Sequence, residues 1–228
     1  MLRLSILIPV YNEERTILEA ITRLRDRNFP LETEIIVIND GSSDATAKIL
    51  KAVNGIKVVS YSKNKGKGFA IQIGLQHATG DIIAIQDADL EYHPKDLLQL
   101  IQPIIYGKTN VVYGSRMLQK NKMSYLHFYL GSCLLNLMIW ALYFVPLSDF
   151  ETGYKVLRRE VLMGLNLKSN GFDIEAEITA KLLRKGECII EVPISYTPRT
   201  FSEGKKIRVK DGLQAIWVLL YYRFNFES

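Results

Sequence analysis

Short apolar runs alternate with longer amphipathic stretches through most of the chain. The runs are rich in β-branched residues, and several end in proline, glycine or acidic residues, which is typical of buried strands. The longer stretches repeat apolar residues at helical spacing. This alternation predicts an α/β fold with a mostly parallel sheet flanked by helices. The predicted strands are 4–10, 34–39, 57–61, a run beginning at 82, 110–113 and 187–193.

The predicted helices occupy the segments between these strands and the end of the chain. They run from 11–14 to about 27, from 43–44 to about 51, from a glycine-rich loop to about 77, and over 94–105, 173–185 and 209–224. The last of these is amphipathic, with aromatic residues near one side. The run 4–10 is too short for a signal peptide and favours a first strand.

The segment 124–147 is apolar and contains no Asp, Glu, Lys or Arg. Its length would allow a membrane span, since about 20 apolar residues cross a bilayer. A single pass would, however, separate Asp87 and Asp89 from Glu151 and Arg199, which we expect to build one site. We therefore expect helices that pack on the domain and contact the membrane interface.

Three carboxylates follow the apolar run that begins at residue 82. Asp87, Asp89 and Glu91 stand at alternate positions, which in extended backbone would place their side chains on one face. Ligands of open α/β sheets bind beyond the carboxyl ends of the strands. Carboxylates at this place offer hard oxygen ligands to Mg²⁺ or Mn²⁺, although acids after a strand also serve as turn and cap residues.

Other polar residues follow predicted strands in the same way. Asp40 lies in NDGSSD, where it could also form a turn or cap. Lys67 lies in the basic, glycine-rich loop KNKGKG, as a surface charge or near a phosphate. Arg116 follows the fifth strand, where it could bind a ligand or pair with a core acid. Asp149 and Glu151 flank a glycine turn further on.

Composition suits one globular domain and an anionic partner. The chain has 228 residues, 48% hydrophobic and 23% charged, with a net charge of +5 and a pI near 9.1. Two distant cysteines suggest neither a disulfide framework nor a zinc site, so a reducing cytoplasm is the simpler expectation. The three histidines lack metal-ligand spacing.

Three motifs at strand ends, PVYNE, NDGSSD and QDADL, together resemble family 2 of the glycosyltransferases, whose Rossmann-like fold, GT-A, binds nucleotide sugars. Later motifs, YGSR, SDFETGYKVLRREVL, GFDIEAEI, EVPISY and RTFSEGKKI, resemble the branch of dolichyl-phosphate mannose synthases and polyprenyl-phosphate hexosyltransferases. The likeness covers nearly the whole chain. It implies a single domain, with a donor and metal half at 1–120, an acceptor half at 121–206 and an amphipathic tail helix at 207–228.

The resemblance also implies residue roles. Asp87, Asp89 and Glu91 would hold the metal, although many relatives carry Gln at the position of Glu91. Arg116 would meet the acceptor phosphate. With Glu151 added as a candidate base on chemical grounds, the expected catalytic residues are Asp89, Arg116 and Glu151. The residues implied to bind the nucleotide sugar are Pro9, Tyr11, Glu13, Asp40, Lys67, Asp87, Ala88, Arg199 and Lys205.

The function expected is inverting, metal-dependent transfer of a hexose from a GDP- or UDP-sugar to a polyprenyl phosphate at the cytoplasmic membrane face. A phosphate acceptor needs no general base, whereas a hydroxyl of a saccharide or lipid needs one, such as Glu151, Asp149 or Asp173. A nucleotidyltransferase is a weaker alternative, because PVYNEE stands where its glycine-rich basic loop would follow the first strand. No nucleic acid partner is expected, and the oligomeric state is left open.

Overall fold

The computed structural model describes residues 1–122, 125–200 and 209–225. Within these ranges seven strands form one sheet in the order β3-β2-β1-β4-β6-β5-β7. The strands are β1 (Arg3–Val10), β2 (Glu32–Asp40), β3 (Lys57–Tyr61), β4 (Ile82–Ile85), β5 (Val111–Ser115), β6 (Lys155–Arg158) and β7 (Ile189–Pro193). The α/β class predicted from the alternation of runs is confirmed.

The sheet is parallel except at β6, which runs antiparallel to both β4 and β5. The parallel pairs are β1 with β2 and β4, β2 with β3, and β5 with β7. Because β6 is reversed, the loop that precedes it lies at the edge where the parallel strands end. This reversal brings the residues around Glu151 to the same edge as those following β1, β2, β4 and β5.

Helices cover both faces of the sheet. They are α1 (Ile17–Arg25), α2 (Thr46–Lys51), α3 (Lys67–His77), α4 (Leu97–Leu100), α5 (Gln102–Ile105), α6 (Leu126–Tyr143), α7 (Arg159–Met163), α8 (Ile174–Arg184) and α9 (Val209–Phe224). Alternate strand residues point to opposite faces, and each face of the sheet carries a cluster of buried apolar residues. One core includes Ile6, Ile8 and Leu24, and the other includes Leu7, Ile71 and Ile178.

Helices α6, α8 and α9 enclose a third apolar cluster, which contains Ile139, Phe150 and Leu219. The hydroxyl of Tyr143 donates to the carbonyl of Leu219 and joins α6 to α9. The apolar segment therefore packs on the domain, as expected. Among the helices of the described ranges, none combines the length and apolarity that a membrane span requires.

Two local predictions fail. Strand β6 was not predicted, because it has only four residues, and two of them are Lys155 and Arg158. The single helix expected over 94–105 is divided into a 3₁₀ turn (Pro94–Asp96) and the short helices α4 and α5. Pro103 lies in the first turn of α5, where it cannot donate the backbone hydrogen bond of a continuous helix.

Candidate active site

A cavity of about 1060 Å³ opens along the carboxyl edge of the sheet. All residues expected to bind the donor, the metal and the acceptor that lie in the described ranges line this one cavity; Lys205 lies outside those ranges. They are Pro9, Tyr11, Glu13, Asp40, Lys67, Asp87, Ala88, Asp89, Glu91, Arg116, Glu151 and Arg199. The structure thus brings together side chains from both halves of the chain.

Strand order gives the cavity three regions. On one side, Pro9 and Asp40 lie at the ends of β1 and β2. Asp87, Asp89 and Glu91 follow the central strand β4. Arg116 follows β5 on the other side, with β6 between β5 and β4. The carboxylates after β4 therefore lie between a region built by the N-terminal strands and a region built by the second half.

Asp40 holds the glycine-rich loop. Its carboxylate accepts hydrogen bonds from the backbone N–H groups of Lys65 at 2.7 Å and Gly66 at 2.8 Å, and from Asn64 Nδ2 at 3.0 Å. Gly66 has a φ of 103° and lies against the backbone of Asn170, so a Cβ would not fit there. Asp40 thus orders the loop that leads into α3 and also lines the cavity.

Lys67, whose side chain is only 12% exposed, forms an ion-pair bridge and does not extend from the surface. Its Nζ lies 2.7 Å from Asp87 Oδ1 and 3.0 Å from Glu175 Oε1. Burial alone would lower the pKa of Lys67, but the charges of Asp87 and Glu175 outweigh it and raise the pKa. Lys67 is therefore a fixed positive charge that orients Asp87 at the cavity floor.

The three acids do not lie on extended backbone, and that expectation is wrong. Strand β4 ends at Ile85, and the chain then turns through Ala88 and Asp89, with Leu90 at a φ of 63°. The turn nevertheless keeps the carboxylates close. Burial, with the neighbouring charges of Asp87 and Glu91, raises the pKa of Asp89 to about 7.

Arg199 closes over these acids. Its Nη1 lies 3.0 Å from Glu13 Oε2, and its Nη2 lies 3.1 Å from Asp89 Oδ2. Glu91 accepts hydrogen bonds from the Arg199 backbone N–H at 2.8 Å and from the Tyr196 hydroxyl at 3.0 Å. Arg199 thus spans from the N-terminal region to the central acids, whereas Lys205 lies outside the described residues.

Asp87 and Asp89 fit a divalent cation best among the cavity residues. Both supply hard carboxylate oxygens. The pKa of Asp89 is raised by burial and then by the like charges of Asp87 and Glu91, and a cation would balance those charges. Glu91 is already bound by Tyr196 and Arg199. In residues 1–122, 125–200 and 209–225, no three His, Cys, Asp or Glu side chains form a ready metal-binding group. The three-ligand set therefore stays a prediction.

Arg116 pairs with a core acid, as one interpretation of the sequence allowed. Its Nε and Nη2 lie 2.7 and 2.6 Å from the two carboxylate oxygens of Asp149, which is almost fully buried. This bidentate pair fixes the guanidinium plane. Arg116 also lines the cavity, with its guanidinium carbon 5.3 Å from the ring centre of Tyr196. The pairing with Asp149 therefore orients Arg116 beside the cavity.

Of the three candidate general bases, only Glu151 lines the cavity. Asp149 is committed to Arg116, and Asp173 accepts from the Gly171 backbone N–H outside the cavity. Glu151 Oε2 accepts a hydrogen bond of 3.1 Å from Ser132 on α6. Burial raises the pKa of Glu151, although the positive charge of Arg116 opposes that effect.

The sequence interpretation missed several residues that support the site. Tyr92 stacks on Tyr154 with ring centres 4.7 Å apart, and the ring centre of Tyr196 lies 5.7 Å from that of Tyr92. Lys155 is fully buried and pairs with Glu175 at 2.6 Å. Opposite charges in otherwise apolar segments, at Lys155 and Glu175, were the available signal, but their pairing cannot be derived from spacing.

Comparison with known proteins assigns the chain to a family. The model of a protein family described as "Glycosyl transferase family 2" matches residues 5–165. A dolichol-phosphate mannosyltransferase of Pyrococcus furiosus is 31% identical over 211 residues, which cover 90% of this chain and 59% of that protein. The glycosyltransferase AglJ of Haloferax volcanii is 29% identical over 222 residues, covering 96% of this chain and 71% of that protein. This chain thus spans less than two thirds of the Pyrococcus relative.

Solved structures of glucosyl-3-phosphoglycerate synthase from Mycobacterium tuberculosis share the fold. One, in complex with Mn²⁺, UDP and phosphoglyceric acid, has a TM-score of 0.78 and 23% identity, and the match covers 100% of this chain and 80% of that chain. Another, in complex with Mg²⁺ and UDP, has a TM-score of 0.76 and 22% identity, with 100% and 81% covered. At this identity the likeness establishes the fold alone.

Proposed function

The chain belongs to glycosyltransferase family 2, and we propose that it is an inverting, metal-dependent enzyme that transfers a hexose from a nucleoside diphosphate sugar to a polyprenyl phosphate. Its fold is GT-A and its activity that of a glycosyltransferase. Family membership favours this chemistry over nucleotidyl transfer. The donor, the metal, the acceptor and the membrane contact belong to the proposal.

The donor is assigned to the side of the cavity formed by the N-terminal strands. Pro9, Tyr11 and Asp40 line this side, and the loop that Asp40 orders lies beside it. A nucleoside there would place its diphosphate toward Asp89 and Arg199. A guanidinium is suited to bidentate contact with phosphate oxygens, and Arg199 already lies in the cavity. GDP-mannose and UDP-glucose are the donor types that we propose.

Asp87 and Asp89 would hold Mg²⁺ or Mn²⁺. The ion supplies Lewis-acid stabilisation of the charge that develops on the diphosphate as the sugar leaves. The chain itself fixes the two carboxylates: Lys67 orients Asp87, while the turn at Leu90 places Asp89 and lets its oxygen accept from the Glu91 backbone N–H. Arg199 then binds and orients the diphosphate.

We assign the acceptor to the side of the cavity opposite the donor, because positively charged and apolar side chains line that side together. Arg116 and the exposed Lys120, Lys122 and Lys210 line the same cavity as apolar side chains of α6 and α9. These apolar residues include Leu134, Leu135, Leu213 and Ile216. Cations bind a phosphate group, and the aliphatic walls suit a prenyl chain, whereas a sugar acceptor would gain nothing from such walls.

A phosphate acceptor also fits the ionisable groups. Its oxygen is already an anion at neutral pH, so it needs positioning by Arg116 and no proton removal. Attack on the sugar carbon opposite the leaving diphosphate, in one displacement, inverts the anomeric centre. Closed contacts around Arg199 and the Tyr92–Tyr154 stack help to exclude water, which would otherwise hydrolyse the donor.

Exposed apolar residues on α6 and α9 support membrane association. Helix α6 exposes Leu130, Leu134, Leu137 and Trp140, with Phe144 exposed directly after it. Helix α9 exposes Leu213, Trp217, Leu220 and Phe224. These residues recur at helical spacing, so each helix presents an apolar face. An interfacial helix buries such a face among lipid headgroups. We place the enzyme at the cytoplasmic face of a membrane, where a lipid phosphate is available.

A second candidate has one specific observation in its favour. Glu151 lines the cavity with a raised pKa, which suits a general base for a hydroxyl acceptor on a saccharide or lipid. In that reaction Glu151 would accept the proton of the attacking hydroxyl. The two candidates share donor and metal and differ only in the acceptor.

An acceptor assay tests the proposal. Purified protein with GDP-mannose or UDP-glucose and Mn²⁺ is incubated with farnesyl phosphate, or with farnesol and simple glycosides as hydroxyl acceptors. Mass spectrometry should detect a hexosyl farnesyl phosphate, with inverted anomeric configuration by NMR, and none after addition of EDTA. Transfer to hydroxyl acceptors alone would favour the second candidate, and transfer that persists in EDTA would contradict the metal dependence.

A further inference from the structure

The loop that carries Glu151 packs directly against Asp87 at the floor of the cavity. A Cβ built at Gly153 would clash with Asp87 Oδ2, so any other residue here would displace the Asp87 carboxylate. The Gly153 backbone N–H also donates to the Tyr92 hydroxyl at 3.1 Å. Glycine is required here because the backbone of this loop approaches the Asp87 carboxylate closely. The acceptor-side loop and the proposed metal ligand are therefore in contact.

A buried ammonium fixes the same loop from beneath. Lys155 is inaccessible to solvent, and its Nζ donates to the carbonyls of Phe150 at 2.7 Å and Thr152 at 2.6 Å. These two carbonyls flank Glu151. The Lys155 Nζ also lies 4.5 Å from the ring centre of Tyr113. Lys155 thus determines the backbone course from which the Glu151 side chain projects into the cavity.

Glu175 connects Lys155 to the floor. Its Oε2 lies 2.6 Å from Lys155 Nζ, and its Oε1 lies 3.0 Å from Lys67 Nζ. Lys67 in turn lies 2.7 Å from Asp87 Oδ1. Four side chains of alternating charge therefore run without interruption from Asp87 to the loop around Glu151, and three of them are supplied by α3, β6 and α8.

These four linked side chains are arranged to hold the loop and Asp87 in one relative position. Buried charges are costly unless each is paired, and a fully paired buried network holds its members in one geometry. The contact at Gly153 fixes the loop's distance from Asp87. Lys155 holds the backbone of the loop, and Lys67 holds the Asp87 carboxylate. Small displacements of reacting groups are expensive, since about 1 Å can cost about 100-fold in rate.

We infer that Lys155 and Glu175 are positioning residues that keep the acceptor-side loop bearing Glu151 in register with Asp87. The inference rests on the proposed function, because it assumes a donor and metal at Asp87 and an acceptor beside Glu151. Lys67 contacts Asp87 on the donor side, Lys155 holds the loop on the acceptor side, and Glu175 pairs with both lysines.

The test separates donor binding from transfer. Lys155→Met retains a long side chain but removes the ammonium, while the Asp87–Lys67–Glu175 part of the chain stays paired. We expect the dissociation constants of GDP and UDP with Mn²⁺, measured by calorimetry, to change less than about twofold. The kcat for transfer to farnesyl phosphate should fall about 100-fold. Lys67→Met, the matched variant, should instead weaken Mn²⁺-dependent nucleotide binding.

Glu175→Gln provides the second variant, since it preserves shape and a carbonyl acceptor between the lysines. If Lys155→Met fails to fold, Glu175→Gln decides: a loss of kcat with unchanged Mn²⁺-dependent nucleotide affinity and an unchanged melting temperature supports the inference, and any other result overturns it. Equal losses of nucleotide binding and transfer in Lys155→Met, or a lowered melting temperature with unchanged kcat, would overturn it.

Failure of the proposed function has a different signature. A wild-type protein that binds neither nucleotide with Mn²⁺ contradicts the donor and metal assignment itself. If the wild type transfers only to a hydroxyl acceptor, the same comparison of Lys155→Met with Lys67→Met is made with that acceptor. A kcat loss confined to Lys155→Met then supports the inference although the phosphate acceptor is wrong.

Discussion

The guanidinium of Arg199 lies against the carboxylate of Asp89, with Nη2 3.1 Å from Oδ2. The same guanidinium contacts Glu13, so it links the N-terminal side of the cavity to its central acids. A divalent cation bound at Asp89 would compete with Arg199 for that carboxylate. A donor diphosphate would offer Arg199 new oxygens in exchange. We therefore expect Arg199 to couple metal binding to donor binding.

Replacing Arg199 should separate these two effects. In Arg199→Ala we expect Mn²⁺ alone to bind about tenfold more tightly, equivalent to roughly 1.4 kcal/mol, because its competitor at Asp89 is gone. The nucleotide, in the presence of Mn²⁺, should bind about tenfold more weakly because charge-assisted hydrogen bonds to the diphosphate are lost. Calorimetry measures both constants.

The matched control for Arg199 is Arg23→Ala, which removes an exposed ion pair with Glu19 on α1. Exposed pairs of this kind contribute little, so neither constant should change. Unchanged Mn²⁺ affinity in Arg199→Ala would show that the contact with Asp89 does not compete with the metal.

Glu151 should act on acceptor binding through its charge. Burial raises the pKa of Glu151 above its ordinary value of 4.5, with Arg116 and Lys155 opposing and Asp149 adding to this rise. As pH rises through the elevated pKa, Glu151 becomes an anion beside an anionic acceptor. The KM for farnesyl phosphate should therefore increase with pH in the wild type.

Glu151→Gln imitates the protonated carboxyl at every pH. Its KM for farnesyl phosphate should show no rise over the same pH range, and its kcat should stay within about tenfold of wild type, because a phosphate needs no base. Steady-state kinetics across pH measure both. A loss of more than about 1000-fold in kcat would instead identify Glu151 as the general base of a hydroxyl acceptor.

The apolar faces of α6 and α9 should bind membranes. Leu137 and Trp217 are 55% and 62% exposed, and both lie outside the cavity. The double variant Leu137→Asp/Trp217→Asp should lose flotation with vesicles containing anionic lipid, because charge cannot enter the interface without cost. Its activity on short farnesyl phosphate in detergent should remain.

Leu18→Asp is the control for this surface, since Leu18 is 53% exposed on α1. It should float with vesicles as the wild type does. Equal flotation of all three proteins would contradict the assignment of α6 and α9 as the membrane-facing helices.

Glu177 should stabilise the fold in a pH-dependent manner. Its carboxylate accepts from the backbone N–H groups of Lys168 and Ser169 and from the hydroxyl of Tyr222, and it pairs with Lys181. Burial tends to raise the pKa of Glu177, but these bonds outweigh burial and lower it. Its contribution is therefore present above the unfolded value of 4.5 and is lost as pH falls through the folded pKa.

Glu177→Gln should reduce the free energy of unfolding by about 2 kcal/mol at neutral pH, from the loss of charge-assisted hydrogen bonds. Urea denaturation should show this difference shrinking toward zero in acid. A difference that stays constant as pH falls below the folded pKa would contradict the assigned charge state.

The fold was largely predictable because the apolar runs of the parallel strands are long and end in turn or acidic residues. Strand β6 was missed because a buried Lys155 interrupts a four-residue run, and burial of a lysine depends on Glu175, 20 positions away. Periodicity records which face of an element is apolar, not which distant charge neutralises a buried one. The reversed direction of β6 followed from pairing that the sequence does not display.

The sequence allowed most of the residues that line the candidate site to be predicted, but few of the contacts between them. Asp40, Asp87 and Asp89 follow strands, and the sheet brings them together as expected. The pairing of Arg116 with Asp149 and the closure of Arg199 on Glu13 depend on tertiary geometry. Spacing gave no means to choose Glu151 over Asp149 or Asp173 as the acid that faces the cavity.

We propose that Asp89 belongs to a site where metal and nucleotide bind together. Calorimetric titration of GDP and UDP into wild type and Asp89→Asn, each with and without Mn²⁺, measures whether the metal strengthens nucleotide binding through Asp89. We predict that the wild type binds one of the nucleotides, that Mn²⁺ strengthens this binding at least about tenfold, and that Asp89→Asn loses the Mn²⁺ effect and turnover. Nucleotide binding of equal strength with and without Mn²⁺, unchanged in Asp89→Asn, would contradict the claim.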